Sequence, residues 1–136
     1  MRPIAAVLLG FCLASVGWAQ SPPSRIGRQV LLQSTASWDG KSYEKYPVGQ
    51  PQLTVLKITI RPHTTMDWHS HALPNAAYIL SGALTIEARD GGGKKRFVAG
   101  DAVAEMIDSQ HRGVTGDEPV VLIVFYAGAP GMPLSE

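Results

Sequence analysis

The sequence predicts an all-β fold, a single small sandwich or barrel of short strands. Three observations predict it. Short runs rich in Val, Ile, Leu, Thr and Tyr recur at regular spacing. Turn signals stand between them: Ser81-Gly82, Asp90-Gly91-Gly92-Gly93, Gly100-Asp101 and the stretch GDEP at 116–119. No long stretch holds a helical period, so parallel βαβ units are excluded. The 136 residues allow one domain and hardly two.

Residues 1–19 read as a cleaved leader. Met1-Arg2-Pro3 is a short basic start, residues 4–16 are nearly all apolar, and Gly17 and Ala19 place small side chains at the −3 and −1 positions of a cut after Ala19. The rival is a retained anchor, for which the run is short against a span of about 20 residues. Cys12, the only cysteine, lies in this leader behind the bulky Phe11, so lipid attachment is not expected. The exported chain would have no thiol and would depend on a packed core rather than on disulfides.

Residues 20–52 form an N-terminal segment and loop. The stretch SPPS at 21–24 is a flexible start, VLLQ at 30–33 is a first strand, and 38–52, rich in Gly, Pro, Tyr and Lys, is a long loop. The barrel core is expected over 53–127. Residues 53–60 make a strand with Leu56, Ile58 and Ile60 on one face, closed by Arg61-Pro62. Strands follow at 76–80 and at 83–88, where Leu84, Ile86 and Ala88 alternate with polar residues. Further strands are expected at 96–98, 102–107, 111–114 and 120–126. Asp101 caps the turn at Gly100, and Lys94, Lys95 and Arg96 are a solvated run. The tail, 128–136, with Pro130 and Pro133, is expected to be irregular.

With Arg2 assigned to the leader, Lys plus Arg equal Asp plus Glu in what remains, so its net charge is about zero. No basic stripe points to nucleic acid. After the leader no apolar run is long enough to cross a bilayer.

All four histidines lie between positions 63 and 111. In a strand, His69 and His71 project to the same face and reach one point inside a barrel. His111 can arrive from a neighbouring strand, and three imidazoles converging on one ion is a metal-binding geometry. The alternative is a hydrogen-bonded or surface pair. His63, in a Pro-led turn, is expected to be exposed or capping. Trp68 has the opposite parity and is expected outside the barrel. Met66, Tyr78 and Phe125 could line a pocket, with core packing as the default.

The spacing here resembles the cupin superfamily. Its first motif runs G-x5-H-x-H, three or four residues, E, six residues, G. His69, His71 and Gly82 fit it, Asn75 stands at the glutamate, and His63 at the leading glycine. The second runs G-x5-P-x-G-x2-H-x3-N. Gly100 and His111 fit, while Met106, Asp108 and Thr115 replace its proline, second glycine and asparagine. The resemblance covers 53–127 and is similar to that of small exported bacterial cupins. It implies a single cupin-type β-barrel (a double-stranded jelly roll) with a divalent transition metal held by His69, His71 and His111. By analogy it also implies a homodimer.

Asn75 offers a neutral carbonyl oxygen or an amide N–H but no charge, so it is a weak ligand at best or a turn-shaping residue. Three neutral histidines favour nitrogen-loving metals such as Fe, Cu, Ni or Zn over Mg or Ca, with Mn a further candidate for the divalent ion, and leave positions open for water, dioxygen or an anion. Glu105 sits in an otherwise apolar strand, where cupins usually carry an apolar residue. Buried, it needs a partner. Facing inward it could be a ligand, a support for a histidine or a general base; facing outward it is solvated.

The expected function is a metal-dependent enzyme of dioxygenase, isomerase or lyase type, in the periplasm or secreted, acting on a small molecule with Glu105 as its catalytic group. The alternatives are a non-catalytic module that binds metal or a small ligand, and a barrel without metal.

Overall fold

A computed structural model describes residues 25–136. The expected leader at 1–19 and the flexible start at 21–24 lie outside the described residues. The described chain forms seven strands: β1 Gln52–Ile60, β2 Asn75–Ser81, β3 Ala83–Ala88, β4 Lys94–Val98, β5 Ala102–Ala104, β6 His111–Thr115 and β7 Val120–Gly128. They build two antiparallel sheets, ordered β1-β7-β2-β5 and β4-β3-β6. No helix among the described residues is long and apolar enough to cross a membrane.

Period-2 alternation explains which faces meet. In β1, Leu56, Ile58 and Ile60 turn inward while Leu53 and Val55 stay exposed. The long partner β7 buries Val120, Leu122, Val124 and Tyr126. Ile58 is paired with Leu122 and Leu56 with Val124, so their inward side chains form cross-strand neighbours. Ala77 and Ile79 of β2, Leu84 and Ile86 of β3, Phe97 of β4 and Val103 of β5 complete one core between the sheets. At roughly 25 cal/mol per Å2 of apolar surface, each such side chain contributes about 1.5–3 kcal/mol, and this burial replaces disulfides as the source of stability.

A second ladder continues the smaller sheet past β6. Thr65 bridges Val114, Met66 N–H donates to the Gly113 carbonyl, and His69 and His111 exchange both backbone hydrogen bonds at 3.0 and 2.9 Å. The segment 64–71 thus runs antiparallel to β6 although it is too broken for a named strand. This register puts His69 and His111 directly opposite each other.

Two expectations change. Residues 30–33 form no strand: the chain there is extended, and Val30 and Leu31 are exposed, with no ladder partner or face to bury them. The strand expected at 102–107 stops at Ala104, and Val103, Ala104, Glu105 and Met106 are buried in succession, so strand parity lapses where Glu105 lies. The loop at 38–52 is irregular as expected but is attached to the barrel. Trp38 N–H donates to the Ala104 carbonyl at 2.9 Å, and the Trp38 ring meets Phe97 edge-on.

Gly82 and Gly100 turn the chain at positive φ (77° and 95°). At Gly82 a Cβ would lie 2.3 Å from the Pro119 carbonyl oxygen, so only glycine fits that turn. Asp101 caps the Gly100 turn, its Oδ2 accepting from Val98 N–H at 2.7 Å. Lys94, Lys95 and Arg96 are exposed, as expected.

Candidate metal centre

The three histidines anticipated from their spacing meet. His69 and His71 come from the broken strand beside β6, and His111 opens β6 itself. Their ring centroids lie 4.6–5.2 Å apart, and each offers one ligand nitrogen, all within 4.8 Å of one another. His71 and His111 are buried and His69 is half-buried.

Each ring is held by its other nitrogen. Nδ1 of His69 is 2.9 Å from the Asp67 carbonyl, Nδ1 of His111 is 3.0 Å from that of Ser109, and Nδ1 of His71 is 2.6 Å from that of Leu134. A carbonyl can only accept, so all three Nδ1 atoms carry the proton and all three Nε2 atoms keep a free lone pair. That uniform tautomer is what a three-nitrogen metal site requires. Burial lowers the His71 imidazole to about 4 and lowers that of His111 as well, which keeps both neutral at physiological pH.

Glu105 faces inward. It is buried, and its Oε2 lies 3.6 Å from Nε2 of His111. Burial pushes its carboxyl up to about 7, partly offset by the Met106 N–H, which donates to it. With the imidazole held neutral and the carboxyl raised, this contact is not a formed ion pair at neutral pH. Oε2 and the Asn75 Oδ1 are both buried without a hydrogen-bond partner among the described residues. Asn75 donates from Nδ2 to the Leu73 carbonyl at 3.1 Å, which leaves its oxygen free at the cavity wall. The three oriented imidazoles suit a divalent transition ion, and the two residues with unpartnered buried oxygens line the same cavity.

These groups line a cavity of about 590 Å3 between the sheets. Its walls are otherwise apolar: Leu56, Ile58 and Ile60 of β1, Leu122 and Val124 of β7, and Leu84 and Ile86 of β3. Such a cavity with a few convergent polar groups suits a small ligand.

The other expected positions divide. Met66 lines the cavity. Tyr78 and Phe125 do not; they lie on the outer face of the larger sheet, because they have the opposite parity to Ala77 and Tyr126. Trp68 lies off the cavity, its ring facing the Arg112 guanidinium at 4.4 Å. His63 is exposed, its Nε2 3.7 Å from Asp117 and away from the centre.

Three contributors were not anticipated. Tyr126 lines the cavity and meets the His71 ring edge-on; its inward parity with Leu122 and Val124 is a signal that could have found it. Tyr43, from the N-terminal loop, donates from its hydroxyl to the Glu105 carbonyl at 2.6 Å and holds the strand end that carries the carboxyl. Leu134, in the expected irregular tail, supplies the carbonyl on His71, and no local pattern announces that contact.

The family model for the Cupin domain matches residues 56–126. No curated protein matches the chain. Among solved structures, a DMSP lyase of Ruegeria pomeroyi is 21% identical with a TM-score of 0.54, over 60% of this chain and 41% of that one. The polyketide cyclase RemF of Streptomyces resistomycificus is 19% identical (TM-score 0.54, 62% of this chain and 58% of that one). A cupin-like protein of Thermotoga maritima is 21% identical (TM-score 0.54, 62% of each). The chain spans under half the length of the lyase. At these identities the likeness is one of fold.

Proposed function

Since the chain belongs to the cupin domain family, which its residues 56–126 match, we propose that it is a metal-dependent enzyme acting on a small molecule. In this reading His69, His71 and His111 hold a divalent transition ion and Glu105 is the catalytic group beside it. The observation that carries it is the set of three imidazoles locked in one tautomer around a cavity of about 590 Å3. The similar folds include a DMSP lyase and a polyketide cyclase, proteins whose names give small molecules as substrates.

When bound, the ion supplies Lewis acidity or a site for an oxygen ligand. The protein's own residues do the rest. The apolar walls exclude water from the ligand. Asn75 presents a neutral carbonyl oxygen, so the histidine set brings no negative charge and a bound cation keeps its pull on an anionic or carbonyl ligand. Glu105 holds or delivers a proton at Oε2, the buried carboxyl oxygen that has no hydrogen-bond partner among the described residues. That role rests on its position, 3.6 Å from His111 Nε2.

Elemental analysis of the purified protein beside His69→Ala tests the reading. Near-stoichiometric iron, copper, nickel, zinc or manganese in the native chain and a large loss in the variant are expected. Equal, near-zero metal in both would return the fold to a non-catalytic barrel. Export and pairing of two copies belong to the same proposal. N-terminal sequencing of the secreted or periplasmic protein checks the first, with Gln20 expected, and sedimentation checks the second.

A further inference from the structure

The tail returns to the metal centre. After β7 ends at Gly128, the chain reverses through a turn closed by Met132 N–H to the Ala129 carbonyl (3.2 Å), with Gly131 at φ 84°. Residue 136 then pairs with Ser70, the residue between the two ligand histidines, through both backbone hydrogen bonds (2.9 and 3.0 Å). Between these anchors the Leu134 carbonyl accepts a hydrogen bond from His71 Nδ1–H at 2.6 Å, while the Leu134 side chain packs on the core and lines the cavity with Ser135.

The three histidines are not held alike. His69 and His111 each bond a carbonyl two residues earlier in their own segments, so the backbone that places the ring also orients it. His71 has no such local support. Its carbonyl comes from 63 residues along the chain. A neutral imidazole in water carries its proton on either nitrogen, and here the Leu134 carbonyl is the acceptor that holds it on Nδ1. Were it on Nε2, the lone pair would point away from the centre.

We propose that residues 133–136 are a positioning element of the metal centre: docked, they select the His71 tautomer that can ligate, and undocked they release it. The consequence for metal affinity rests on the three-histidine reading above; the tautomer itself does not. The acting atom is a backbone oxygen, and the Leu134 side chain, packed on the core, helps to dock it.

The test compares two metal-free proteins, the intact chain and a chain shortened to end at Met132, by imidazole nitrogen NMR, then titrates each with zinc against a chelator. In the intact chain His71 is expected to be protonated at Nδ1. In the shortened chain His71 becomes a tautomer mixture while His69 and His111 do not change, which a general loss of structure would not produce. Zinc affinity should fall about 10- to 100-fold in the shortened chain, the usual loss when a ligand's orienting partner is removed. An Nε2-protonated His71 in the intact chain overturns the proposal without any variant, so it stays falsifiable if the shortened chain does not fold. An unchanged His71 in a folded shortened chain overturns it too. Zinc binding by neither protein, with the tautomers as stated, sinks the metal reading and leaves the tail's role standing.

Discussion

At the scale of single residues, Glu105 is the group on which chemistry and stability collide. Its carboxyl is buried and raised from 4.5 to about 7, whereas His71 is lowered from 6.5 to about 4, both chiefly by burial. In metal-free protein the two act in opposite directions. A raised carboxyl contributes stability that is complete below about 4.5 and lost as pH rises through about 7. A depressed imidazole contributes stability present above about 6.5 and lost as pH falls through about 4. The advantage of Glu105→Gln over the native chain should therefore grow with pH between about 4.5 and 7, by on the order of 3 kcal/mol. Denaturant melts in chelator at several pH values measure it, and a constant difference would contradict the burial of the carboxyl. With metal present, Glu105→Gln should keep its ion and lower kcat on any substrate the native protein turns over by about 10²- to 10⁴-fold. Loss of the ion together with the activity would make Glu105 a ligand instead.

At the scale of elements, the turns preserve conformations that their residues alone do not advertise. His63 and Asp108, at two of the four positions where the resembled motifs carry glycine, are the described non-glycine residues at positive φ, 51° and 49°. The backbone at both is left-handed without a glycine, at a cost of roughly 1–2 kcal/mol for an ordinary side chain and less for Asp or His. Gly82 has no such latitude. Gly82→Ala adds a Cβ against Pro119 at positive φ, and a loss of at least about 2 kcal/mol is expected from its chemical melt. A melt unchanged within error would mean that the hairpin can shift at no cost. These turns also show how far the sequence could be read. Alternation identified the inward faces of β1 and β3 but was not applied to β7, and the two-residue spacing of His69 and His71 placed both rings on one side. It failed at 30–33, where β propensity had no neighbouring strand to pair with, and at 105–106, where the chain leaves its ladder and parity loses meaning. Glu105 was singled out for its charge in an apolar run, but its direction depended on irregular backbone. Leu134 was invisible because the acting group is a carbonyl that every residue has.

At the scale of the whole molecule, the centre is a shared product of distant segments: the stretch beside β6, the end of β5, the N-terminal loop through Tyr43, and the tail. An ion that binds these only when they are assembled stabilises the entire fold, by about 2.7 kcal/mol at 100 times Kd. Stripping the metal should then lower Tm by roughly 10 °C for a domain of this size, and calorimetry with and without chelator reads it. An equal Tm in both states would mean that the ion, if bound, does not couple to folding. The returning tail carries a practical consequence as well. A purification handle fused directly after Glu136 would begin beside Ser70, whose backbone pairs with that of residue 136, and a polyhistidine handle would bring imidazoles of its own close to the candidate ligands. Metal counted on protein made that way would mix the handle's ligands with those of the centre, so the handle is removed before any metal is counted.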